Sequence, residues 1–326
     1  MKNKYGFVFL MLMCMFIGCV GLTGWYVKTQ EVSDRSDSSM RVVTSFYPMY
    51  IAAKNVIGDT EGIVLENLSE PQTGCLHDFQ LTPEDMKLLS TADLFVVNGG
   101  GIESFLTDVA SDYPKLRIIE ACEDVQLISN FGAKEEHDHE AEEEHDHEAE
   151  EEHDHDHGEL NAHAWMSLDD YKTQIQTIAE HLMEMDGEHA EQYRANAEAY
   201  VEKLYALSEE YETLTEALGG KKVILLSEAF AYVARDYGME VVDVLDMDED
   251  RQVSAGELQK ILTTIEEQGA SCILAEERYG KRIAQTIQGE TEIPVLYLDP
   301  LTRGEYDSDS YLNGMRENLR ILGEGF

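Results

Sequence analysis

Ala92-Asp93-Leu94-Phe95-Val96-Val97-Asn98-Gly99 is the stretch on which the fold reading turns. Within it Asp93-Asn98, four apolar residues with β-branched and aromatic side chains among them and polar residues at either end, reads as one short strand. Working outward, Arg41-Phe46, Gly62-Leu68 and Leu116-Ala121 read the same way. The segments between them, Met49-Ile57, Thr82-Ser90 and Ile102-Ser111, space their apolar residues as helices do. Thr82-Pro83-Glu84-Asp85 adds a helix start, with a capping Thr, Pro at the first helical position and acids in the first turn. Strand and helix in alternation predict a mostly parallel sheet with helices on its faces.

The pattern returns late in the chain. Lys222-Leu226, Glu240-Leu245, Ser271-Ala275 and Pro294-Leu298 are predicted strands, with helices near Ala229-Asp236, Ala255-Glu267, Gly280-Gln288 and Ser310-Leu322. The fold expected is α/β: two similar lobes, each a mostly parallel sheet flanked by helices. Between them Ser167-Met185 and Glu188-Leu218 are long, charged and free of Pro. The second predicts a single rigid linker helix of about 45 Å. The organisation expected is a signal or lipid-anchor segment and tether over 1–40, an N-terminal lobe over 41–186, a linker helix over 187–219 and a C-terminal lobe over 220–326.

Asp and Glu outnumber Lys and Arg by 66 to 24 in 326 residues, a formal net charge of −42. Such a surface repels nucleic acid and anionic headgroups and favours cations. Much of the excess lies in a tandem repeat: Glu135-Glu142 and Glu143-Glu150 are both EEHDHEAE, and Glu151-Gly158 is EEHDHDHG. With almost no apolar residue, 133–159 is expected to be a disordered loop on the N-terminal lobe. It carries His137, His139, His145, His147, His153, His155 and His157, each beside a carboxylate. Imidazole suits zinc, copper and nickel, so the loop reads as an auxiliary collector of divalent ions. Each ligand fixed on a floppy peptide costs ordering entropy, so a tight site belongs on rigid elements.

In open α/β sheets that place is the crevice beyond the carboxyl ends of the strands. His77 follows the second strand in Glu70-Pro71-Gln72-Thr73-Gly74-Cys75-Leu76-His77-Asp78, and His163 follows the fourth in Asn161-Ala162-His163-Ala164-Trp165-Met166. In the second lobe Glu228 and Asp299 end strands, with Ser227 and Glu276 as further candidates. Two neutral imidazoles and two carboxylates cancel a dication's charge. His181 and His189, on the charged helical stretch, read as surface residues.

Five cysteines with no CxxC spacing give no disulfide framework; Cys122 and Cys272 sit in apolar runs and read as buried thiols. At the start, Lys2 and Lys4 precede an apolar run from Phe7 to Ile17 and then Gly18-Cys19, a targeting segment. Phe16-Ile17-Gly18-Cys19 resembles the lipobox of bacterial lipoproteins, which would make Cys19 the lipidated residue. An uncleaved signal anchor through Val27 is the alternative. Both put the chain on the outer face of the bacterial cytoplasmic membrane.

The chain resembles the zinc and manganese solute-binding proteins that feed ABC importers. The marks are Val43-Thr44-Ser45-Phe46-Tyr47-Pro48, His77-Asp78, Ala92-Asp93-Leu94-Phe95-Val96-Val97-Asn98-Gly99, His163-Ala164-Trp165, Glu228-Ala229-Phe230 with Tyr232, and Met315-Arg316-Glu317-Asn318-Leu319. The resemblance spans Val42 to Leu322 and implies two α/β lobes joined by a rigid helix, with the metal in the cleft. It implies delivery of the ion to a permease with its ATPase subunit, and no enzymatic activity. An acidic His-rich loop at this point in the chain is typical of zinc members. Where those members place a third His this chain has Ser227, with Glu228 next, a pairing found in manganese-type members. Zn2+ is the expected cargo and Mn2+ the alternative. A monomer is expected, and a surface adhesin on the same scaffold is a further reading. A metallohydrolase would need a motif such as HExxH, which the sequence lacks.

Overall fold

In a computed structural model, residues 39–69, 79–131, 160–247 and 251–325 are described. Residues 41–326 cluster as one unit and 1–40 as another. The targeting segment with Cys19, His77, Cys75 and the seven repeat histidines lie outside the described residues.

The first sheet contains β1 (Met40–Thr44), β2 (Ile63–Asn67), β3 (Leu94–Val97) and β4 (Arg117–Glu120) in the order β2-β1-β3-β4. The opening stretch is its centre: Leu94 to Val97 are all fully buried, and β3 pairs in parallel with β1 and β4. The second sheet contains β7 (Lys222–Leu225), β8 (Glu240–Val244), β9 (Cys272–Ala275) and β10 (Val295–Tyr297), ordered β10-β9-β7-β8. Read from the other edge the two orders are the same: second strand, first, third, fourth. The pairs of β7 with β8 and β9, and of β9 with β10, are parallel. The α/β class and the parallel sheets in two lobes are as the sequence predicts.

Helices α1 (Tyr47–Ile57), α2 (Pro83–Leu89) and α3 (Leu106–Asp112) accompany the first sheet. The predicted start of α2 is a full capping box: Thr82 Oγ1 accepts from Asp85 N, and Asp85 Oδ2 accepts from Thr82 N. Helix α3 begins four residues later than predicted. Glu103, expected inside that helix, folds back to accept from Asn98 N and Gly99 N, and Gly99-Gly100-Gly101, all at positive φ, make the turn this requires.

Helices α4 (Leu168–Met185) and α5 (Ala190–Glu210) follow as a packed pair. The expected single linker helix is corrected here. It stops at Glu210, turns through Tyr211–Thr213, and resumes as α6 (Leu214–Leu218). Glu209, Glu210 and Glu212 crowd carboxylates onto the helix's negative C-terminal end, which disfavours continuation. Helix α5 nonetheless touches both lobes. Asn196 donates to Val56 O and Ile57 O of α1, while Lys203 pairs with Asp309 and Glu210 with Arg316 near the C-terminus.

The second lobe is completed by α7 (Ala231–Asp236), α8 (Ala255–Thr264), α9 (Glu277–Glu290) and α10 (Ser310–Gly325). Its core sets Ile224, Leu226, Ile273 and Ala275 of the sheet against Ile261, Ile283, Ala284 and Ile287. Each large aliphatic chain fully buried there contributes roughly 1.5–3 kcal/mol. Cys122 and Cys272 are buried, and burial pushes each thiol up to about 12, so both are inert.

Residues 303–310 leave the second lobe and lie along the first. Tyr306 stacks on Tyr50, accepts from Asn67 Nδ2 and donates to Ser69 O; Asn55 Nδ2 reaches Ser308 O and Tyr47 Oη reaches Ser310 Oγ. No described helix is long and apolar enough to cross a membrane.

Candidate metal centre

The strand-end rule locates a polar edge on each sheet. In the second lobe one carboxylate follows each strand: Glu228 after β7, Asp246 after β8, Glu276 after β9 and Asp299 after β10. Three of these were legible in the sequence. Asp246 was missed, although Leu245-Asp246 closes a predicted strand and the same rule selects it.

His163 comes from the first lobe. It follows the short antiparallel pair β5 (Ile128–Ser129) and β6 (Leu160–Asn161), which was not predicted, and is 4% exposed. Asn161 organises it. Asn161 Oδ1 accepts from His163 N at 3.0 Å and stands 3.0 Å from His163 Nδ1, while Asn161 Nδ2 donates to Glu228 O at 2.9 Å. An amide oxygen can only accept, so Nδ1 carries the proton and Nε2 the lone pair. One amide therefore fixes the histidine tautomer and ties it to the second lobe's first candidate.

The segment is held elsewhere too. Asn98 Nδ2 donates to Ala162 O, Tyr232 Oη to Asn161 O, Trp165 Nε1 to Pro300 O, and Tyr311 Oη to Trp165 O. Asn98 is itself set by Gln174 and by the Glu103 carboxylate, which also accepts from Ser45 Oγ. Burial pushes Glu103 up to about 7. First-lobe polar groups beneath His163 thus form one network.

The carboxylates are crowded. Burial, with Asp246 adding to it, raises Glu228 to about 7, and Asp246 Oδ1 accepts from Glu228 N at 2.9 Å. Burial also raises Glu276 and Asp299. Arg303 opposes both shifts and pairs with Glu276 at 3.0 Å, the two side chains 14% and 13% exposed. Asp299 Oδ1 accepts from Leu301 N, shaping the turn after β10. Ser227 Oγ accepts from Ala229 N as the cap of the turn at Glu228–Phe230.

The structure thus joins His163 to Glu228 through Asn161, Glu228 to Asp246, and Glu276 to Arg303. Among the described residues no three His, Cys, Asp or Glu side chains form a group that could hold a metal ion. His181 lies on α4 beside Glu123, three residues past β4, and His189 precedes α5 beside Asp186; both are half-buried and paired with a carboxylate, where the sequence reading has them on the surface.

Two parallel-sheet lobes with an imidazole at one edge and carboxylates at the other have the architecture of a two-lobed solute-binding protein. The chain belongs to the family described as zinc-uptake complex component A, periplasmic, ZnuA, whose model matches residues 42–325. It is 28% identical over 330 residues to the high-affinity zinc uptake system protein ZnuA of Bacillus subtilis, covering 99% of this chain and 98% of that protein. It is also 28% identical over 302 residues to the zinc-binding protein AdcA of Streptococcus pyogenes, which covers 90% of this chain; the chain spans 57% of AdcA's length. Among solved structures, AdcAII of Streptococcus pneumoniae matches with a TM-score of 0.70 at 23% identity, over 89% of this chain and all of that one. FpvC of Pseudomonas aeruginosa in complex with Mn2+ matches at 0.71 and 24%, over 88% of this chain and all of that one. Both structures share the fold.

Proposed function

We propose that this chain captures zinc outside the cytoplasmic membrane and hands it to an ABC permease energised by an ATPase subunit. It catalyses no reaction; the ion is cargo. The observation that carries the reading is the bridge His163–Asn161–Glu228, in which one amide fixes the imidazole tautomer in the first lobe and holds the main-chain carbonyl of Glu228, the residue that bears the second lobe's first candidate carboxylate. His163, Glu228, Asp299 and, from the sequence, His77 are the assigned ligands. An imidazole and carboxylate set suits a borderline dication. The assignment leaves Glu276 to Arg303 and Ser227 to its cap, neither a ligand. The relatives' names, zinc-binding and zinc uptake, support zinc. The lobes are assigned as 41–186 and 220–326 with 187–219 joining them, and Cys19 as the lipid anchor that keeps a monomer at the membrane.

A second reading, manganese as cargo, has one observation in its favour: the third-ligand position is a carboxylate, Glu228, with Ser227 beside it. Oxygen-rich sites suit Mn2+ better than tetrahedral Zn2+. Calorimetry with Zn2+ and Mn2+ on the parent, His163→Ala and a chain lacking 135–157 tests both readings. Tight zinc binding that survives the deletion and is lost in His163→Ala is expected. Loss on deletion with His163→Ala harmless would overturn the cleft site, and tighter Mn2+ than Zn2+ would overturn zinc.

A further inference from the structure

The described residues include ten arginines, and in so acidic a chain eight of them meet carboxylates: Arg41, Arg117, Arg194, Arg235, Arg251, Arg303, Arg316 and Arg320. The two that meet none among the described residues are Arg278 and Arg282. They are exposed and lie four residues apart on α9, where like charges repel. With Lys281, Arg251, Met247 and Tyr279 they line a groove of about 480 Å³; Glu277, paired with Lys281, is the one carboxylate among its described lining residues. Glu276, at the carboxylate edge of the second sheet, directly precedes α9, so the groove begins at that edge.

We propose that this groove is the docking surface for the chain's own acidic stretch 135–157. That stretch carries fourteen carboxylates, seven histidines and no Lys or Arg, so it complements the groove in charge. Its roots are close by. Ile128–Ser129 and Leu160–Asn161 are paired, and Asn161 bonds Glu228 at the end of β7, the strand beside the β9 that leads into α9. Neighbouring strands lie about 4.8 Å apart. Twenty-eight residues, the number from 132 to 159, have a contour long enough to span at most about 45 Å out and back at 3.3 Å per residue. The purpose follows if the repeat collects ions as read above: docking holds the collector at the rim of the cleft.

Zero-length carbodiimide cross-linking of the full chain, ion-free with chelator present, tests this through Lys281, followed by peptide mass spectrometry. Cross-links from Lys281 to 135–157 are expected, falling at least tenfold in Arg278→Glu/Arg282→Glu and likewise in 0.5 M NaCl. Links from Lys134 to the same stretch are the internal control and stay. Arg278→Gln/Arg282→Gln should give an intermediate loss. The proposal is overturned if Lys281 links only to Glu277 or to Asp248-Glu249-Asp250, or if charge reversal leaves the yield unchanged. It is also overturned if phosphatidylglycerol vesicles sediment the parent but not the reversed variant. Zinc affinity of the reversed variant, measured separately, should match the parent, so failure here is distinct from failure of the cleft reading.

Discussion

Replacing Asn161 by Ala removes the amide that serves both lobes. The side chain is 2% exposed and makes three contacts, with His163 N, His163 Nδ1 and Glu228 O, at 3.0, 3.0 and 2.9 Å. Each buried group left without a partner costs about 1–3 kcal/mol, and water entering the vacated space recovers part of that. A loss of about 2–4 kcal/mol is therefore expected in urea unfolding of the ion-free chain. The effect on binding is separate. Without the Oδ1 acceptor neither the tautomer nor the ring orientation of His163 is fixed, and loss of such a partner costs about 10–100-fold in metal affinity. Chelator-competition titration with zinc reads this directly. Asn161→Asp keeps the acceptor for His163 but sets a carboxylate against Glu228 O, so it should lose stability while keeping more of the affinity than Ala does. Zinc affinity within twofold of the parent in Asn161→Ala would refute the positioning argument, whatever the stability.

Three further outcomes are expected. Glu103→Gln replaces one acceptor oxygen with a donor facing backbone N–H groups or Ser45, and should cost about 1–3 kcal/mol in urea unfolding near neutral pH, net of the relieved charge burial. In the parent, Glu103 titrates near 7 when folded and near 4.5 when unfolded, so the folded state holds the proton longer. Its contribution is thus fully present below pH 4.5 and falls by about 3 kcal/mol as pH rises to 7, a slope the Gln variant should lack in unfolding measured against pH. Arg303→Gln leaves Glu276 buried without its partner and should cost about 2–4 kcal/mol, whereas Arg303→Gln with Glu276→Gln should cost less than either change alone; a double-mutant cycle by thermal unfolding checks this. Trp165→Phe loses the bond to Pro300 O while keeping the ring edge against Phe46, and should cost about 1–2 kcal/mol by the same measurement.

Much of the fold was legible because its strands are short apolar runs with few competing readings. Leu94-Val97 and Cys272-Ala275 were found at nearly their observed bounds for that reason. Long-range effects were not legible. Helix spacing continues from Glu188 to Leu218, and the break at Tyr211–Thr213 reflects carboxylates at a helix end, which apolar periodicity does not register. The late start of α3 has a similar cause, since the recruitment of Glu103 by the backbone at Asn98 and Gly99 exists only once β3 is folded. At the site, strand ends identified Glu228, Glu276 and Asp299, and the same rule applied to β8 would have added Asp246. Asn161 and Arg303 carried no such mark. A short amide before a His and an Arg in a turn take their meaning from partners 67 and 27 residues away.

Residues 303–310 give the two lobes an order of completion. Tyr47, Asn55 and Asn67 sit in the first secondary-structure elements of the chain, yet their partners Ser310, Ser308 and Tyr306 stand 263, 253 and 239 residues later. A chain made from its N-terminus onward holds all the strands of the first sheet long before these partners are added. Until then the aromatic ring of Tyr50 and the amides of Asn55 and Asn67 face water or whatever chaperone is at hand. The joining of residues 303–310 to the first lobe is therefore the step that closes this part of its surface.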